Sequence, residues 1–81
     1  MDTYSSFKQY DRVKVTKINK VFNVDKFFIR EPRVGDIATI VEIYNNNDKV
    51  GLGFTLECVD GEGRTYWLET ITVGELEFVS A

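Results

Sequence analysis

No stretch of this chain keeps a 3.6-residue apolar period for three turns, whereas two-residue alternation recurs wherever a pattern is readable. Alternation turns every second side chain to the same face, so a core built this way comes from strands. Residues 12–18 read as the first strand, with Val13 and Val15 inward and Arg12, Lys14 and Thr16 outward. Lys17 breaks the alternation before Ile18, which predicts a bulge or strand end there. Residues 37–44 follow the turn dipeptide Gly35-Asp36 and carry apolar side chains on both faces, as a bent central strand would. Residues 54–59 and 64–70 flank Asp60-Gly61-Glu62-Gly63, whose glycines supply positive φ for a hairpin. A short helical turn is expected around Val73-Gly74-Glu75, and residues 76–79 close the chain as a fifth strand.

The predicted core comprises Val13, Val15, Ile18, Ile37, Ile40, Val41, Ile43, Phe54, Leu56, Tyr66, Leu68, Leu76 and Phe78. Between the first two strands lies the connection 19–34, charged but carrying Phe27-Phe28-Ile29. A loop that long in a chain of 81 residues either binds something or is pinned by its own apolar side chains. The whole reads as one all-β domain over 11–81, preceded by a ten-residue extension, 1–10. Five short strands joined by tight turns point to a small curled barrel with few exposed edges. An OB-type barrel is the alternative, but its usual helix has no room in the turn 60–63.

Composition narrows the chemistry. The chain has no His and a single Cys, Cys58, which removes Ser-His-Asp and Cys-His catalytic sets, an internal disulfide and a Cys/His zinc site. Cys58 falls on the apolar face of its strand and reads as a small hydrophobe. Gly51-Leu52-Gly53 and Gly61-Glu62-Gly63 do not stand between a strand and a helix, as a phosphate cradle requires. Asp60 and Glu62 lie in no recognisable calcium loop. No carboxylate pair is marked for acid–base work, so the expectation is a non-enzymatic protein with no catalytic, cofactor or metal residues. The first residues lack a signal-peptide pattern, no apolar run approaches a membrane span, and the lone thiol suits a reducing compartment; a cytoplasmic setting without membrane attachment follows.

The formal charge of −3 conceals two unlike halves. Residues 1–33 hold eight bases and four acids, a net +4, while residues 34–81 hold two bases and nine acids, a net −7. Strands of opposite charge paired across the sheet would absorb this asymmetry; a dipolar surface would steer a charged partner.

Asp11-Arg12-Val13-Lys14-Val15, Gly35-Asp36-Ile37-Ala38-Thr39-Ile40-Val41-Glu42 and Asp60-Gly61-Glu62-Gly63-Arg64 resemble the strand–turn pattern of SH3-like barrels of the KOW kind. The order of segments, ending in Glu75-Leu76-Glu77, is similar to small uncharacterised bacterial proteins of that fold. Accessory barrels such as the photosystem I stromal subunit and the variable chain of ferredoxin-thioredoxin reductase share a comparable opening. Ala38 stands where such barrels often have Gly. The resemblance speaks to fold far more than to task.

Two functions are open to such a chain. The first is a protein-interaction module (an accessory subunit, adaptor or immunity-type partner) that binds a protein or peptide. Strict alternation over 65–69 turns Trp67 outward with Thr65 and Glu69, and Trp67, Tyr44 and one of Phe27 or Phe28 would form an aromatic partner-binding surface. Pairing of two copies is also open to so small a chain. The second is KOW-like nucleic-acid binding through Arg12, Lys14 and Lys17, which the acidic balance of the second half disfavours.

Overall fold

Five antiparallel strands account for the alternation. In the computed structural model, which describes residues 7–22, 29–46 and 51–81, they are β1 (Arg12–Ile18), β2 (Ile37–Asn46), β3 (Gly51–Val59), β4 (Thr65–Thr72) and β5 (Leu76–Ser80). They form one sheet in the order β4-β3-β2-β1-β5. β4 and β5 are its two edges and do not pair with each other, so the sheet is not closed. Among the described residues there is no helix. The helical turn expected near Gly74 is instead a β-turn: Glu75 N–H donates to the Thr72 carbonyl at 3.1 Å, and Gly74 has φ +101°. That positive φ at the third turn position is what a type II turn demands of a glycine.

Three register shifts decide which side chains reach the core. The first lies between Val15 and Lys17, where the sequence breaks its alternation. The second lies between Ile40 and Glu42 and lets Ile40 and Ile43, three residues apart, both turn inward. The third lies between Cys58 and Val59: Thr65 is opposite Val59, Trp67 is opposite Cys58, and Tyr66 is the extra residue.

Seven of the expected core residues are buried: Val13, Val15, Ile40, Phe54, Leu56, Leu76 and Phe78. Ile18, Ile43 and Tyr66 pack partly against them, and Val41, at the second shift, is half-buried. Two assignments are reversed. Ile37 is 36% exposed opposite Lys14, while its small neighbour Ala38 is buried opposite Val13. Leu68 is 44% exposed opposite Glu57 on the outer face. The core also takes in Phe7, Phe22, Cys58, Trp67 and Ile71. Phe7, from the stretch read as an extension, packs its ring 5.1 Å from Phe78, which in turn meets Phe54 edge-on at 5.3 Å.

Candidate functional site

The turn at residues 33–36 is closed by Asp36 N–H donating to the Arg33 carbonyl at 3.1 Å, with Gly35 at φ +99°. Backbone bonds of 2.8 Å from Val15 N–H to the Asp36 carbonyl and from Gly35 N–H to the Val15 carbonyl fasten the turn to β1. The Asp36 carboxylate is thereby held over the end of β4. Its Oδ1 accepts from Arg30 Nη2 at 2.8 Å. Its Oδ2 accepts from Arg30 Nη1 at 2.9 Å, Arg33 N–H at 2.9 Å and the Trp67 indole N–H at 2.8 Å. The Arg30 guanidinium lies over the Tyr66 ring, 4.3 Å from its centroid, and the Ile29 and Arg30 N–H groups donate to the Tyr66 carbonyl.

Burial pushes the Asp36 carboxyl up, but the hydrogen bonds from Arg30, Arg33 and Trp67 and the Arg30 charge outweigh it and hold the group below its ordinary value. Arg30 moves the opposite way, raised chiefly by its bond to Asp36. Burial raises the nearby Cys58 thiol, as expected of an inert packed cysteine. Four donors take up the acceptor capacity of Asp36, so this cluster is a junction that ties the loop, β1, β2 and β4 together. Nothing in the local sequence marked it beyond one general hint: a buried indole N–H needs an acceptor.

Trp67 is the correction that matters most for the site. It is 0% exposed, not outward, because the third register shift reverses the facing after Thr65. Trp67 therefore presents no surface to a partner. Glu69, read as a mark of the outer face, shares the inner set with Trp67 and Ile71 and is half-buried. Tyr44 is 44% exposed and lies against Gly53, separated from the Trp67 face by the sheet itself. Phe27 and Phe28 lie outside the described residues.

The outer face reads as rows across the sheet. Val79, Lys14 and Ile37 are neighbours in one row. Arg12, Thr39, Glu57 and Leu68 form the next, and Glu42, Thr55 and Thr70 the one after. Arg12, Lys14 and Lys17 are all exposed, as the sequence suggests. Lys17 stands opposite Glu77, and among the described residues no ion pair engages Arg12, Lys14 or Lys17. The opposite charges of the two halves do meet elsewhere, at Lys20–Glu75 (3.3 Å) and Arg30–Asp36.

Among the described residues no group of three or more His, Cys, Asp or Glu side chains is placed to hold a metal ion. With no helix among them, the described residues contain none long and apolar enough to cross a membrane. No family model, curated protein or solved structure matches the chain.

Proposed function

We propose that this chain is a non-enzymatic protein-interaction module of SH3-like type, which docks a partner on the outer face of β1 and β2. The strand order, with the last strand beside the first, supports that fold type. The observation that carries the functional reading is Lys14, an exposed cation without an ion pair among the described residues, set between exposed Ile37 and Val79 with Arg12 in the adjoining row. Cations interleaved with aliphatic side chains complement a protein surface whose carboxylates are flanked by apolar groups. The aliphatic neighbours favour protein over nucleic acid, because base stacking needs aromatic platforms. Tyr44, at the far end of the same face, extends the surface.

The test compares the parent with Lys14→Glu/Ile37→Thr in affinity capture from the native cell, with partner identification and calorimetric affinities. The double variant is expected to keep the parent melting temperature and to weaken the captured partner by about 2 kcal/mol. Unchanged capture would overturn this face. Tight, salt-sensitive binding of oligonucleotides at physiological salt, lost in the same variant, would replace the protein reading with the nucleic-acid one.

A further inference from the structure

Among the described residues the β4 edge is guarded at both ends and unpaired in the middle. Thr72 N–H points away from β3 and is taken by Glu75 Oε1 at 2.8 Å. The Tyr66 carbonyl points the same way and accepts the Ile29 and Arg30 N–H groups. An antiparallel ladder turns alternate residues to alternate sides. Leu68 and Thr70 therefore present their N–H and C=O groups on this same side. Among the described residues no backbone or side-chain group bonds any of these four. An open edge of this kind is a template for strand addition.

We propose that this window takes an extended, basic segment of a protein partner as an added antiparallel strand. A second copy of the chain does not fit. The register that pairs Leu68 with Thr70 of a copy brings that copy's Thr72 opposite Tyr66, where the backbone of residues 29–30 already lies. The occupant is thus a short free segment, a chain end or a loop, that pairs through two alternate residues. Its charge follows from the outer face. Glu57 is opposite Leu68, and Glu42 is opposite Thr55, which is opposite Thr70. Neither carboxylate is in an ion pair among the described residues; Glu57 accepts only the Thr65 hydroxyl, at 2.9 Å. A lysine beside Leu68 lies two strand spacings, about 10 Å, from Glu57. Its stem would cover the exposed Leu68 and its ammonium would approach the carboxylate. This edge is separate from the outer face of β1, so the two surfaces can be tested independently.

The probe is an acetylated, amidated hexapeptide alternating lysine and valine, followed by amide hydrogen exchange on the full chain. In the free protein the Leu68 and Thr70 amides are expected to exchange fast. With saturating peptide they slow at least tenfold, whereas the peptide N-methylated at its pairing residues gives no slowing. Glu57→Gln weakens the peptide severalfold, and Lys14→Glu/Ile37→Thr leaves it unchanged. Absence of protection at saturating peptide overturns the proposal. So does protection in the free protein, whether concentration-dependent (a second copy) or not (the chain covering its own edge). A glutamate–valine peptide binding equally well overturns the basic character of the occupant.

Discussion

Asp36 and Asp60 each belong to a turn with a glycine at positive φ, Gly35 at +99° and Gly63 at +85°, and each pairs with an arginine. Asp60 draws all its donors from within four residues: Glu62 N–H at 2.8 Å, Arg64 N–H at 2.9 Å and Arg64 Nε at 2.7 Å. Together with Gly63 N–H on the Asp60 carbonyl, these close the three-residue hairpin loop from inside. Asp36 gathers Arg30 and Arg33 from its own loop and Trp67 from a strand 31 residues away. The same carboxylate chemistry thus finishes a turn in one place and joins four parts of the chain in the other. A motif whose partners are all local stabilises only itself. A motif with a distant partner couples the loop to the core.

Substitutions at the two sites test that difference, and the largest loss is expected at the distant partner. Trp67→Ala removes a fully buried ring and leaves Asp36 short of a donor; urea unfolding should show a loss of roughly 3–5 kcal/mol. Trp67→Phe should lose much less, since it keeps most of the packing and forfeits only the indole bond. A Trp67→Ala protein as stable as its parent would break the claim that the junction and core are one unit.

Asp36→Ala comes next, at about 2–4 kcal/mol, because it strands the part-buried Arg30 guanidinium and the indole N–H. The pH dependence gives an independent reading. The folded Asp36 carboxyl titrates below its ordinary value, so its contribution is complete above the unfolded pKa of about 4 and is lost as pH falls through the lower folded one. Asp36→Asn should flatten the acid limb of the stability curve. Part of the limb remains, because hydrogen bonds from the Arg64 and Thr72 N–H groups, respectively, lead in holding Asp60 and Glu75 low as well. An acid limb unchanged in Asp36→Asn would show that the network leaves the carboxylate unperturbed.

The smallest effect is expected at the exposed turn. Asp60→Ala should speed amide exchange at Glu62 and Arg64 and lower the melting temperature less than Asp36→Ala. The reverse ranking would mean that the hairpin, not the junction, limits stability.

These two aspartates also mark how far the residues could be read unaided. Asp60-Gly61-Glu62-Gly63 reads as a hairpin because each bond it makes closes within the turn. Gly35-Asp36 reads as a turn for the same reason, yet its acid gives no sign of Arg30 and Trp67, whose approach depends on how the loop and β4 fold together. The shift between Val15 and Lys17 is legible because an exposed lysine interrupts the alternation. The shift that carries Trp67 inward is not, because Tyr66, Trp67 and Leu68 are all large and apolar, and either facing satisfies the pattern.

The sequence by itself determined that the chain is all-β, the approximate span of each strand and the glycine-bearing turns at Gly35 and Gly63. Period-two burial and positive φ are properties of a few adjacent residues. Only the tertiary structure decided that Trp67 is core, that Leu68 and Ile37 face outward, and that among the described residues nothing pairs with the middle of the β4 edge. Facing after a bulge is set by the register with the neighbouring strand, and a free edge exists only once every other edge has found its partner.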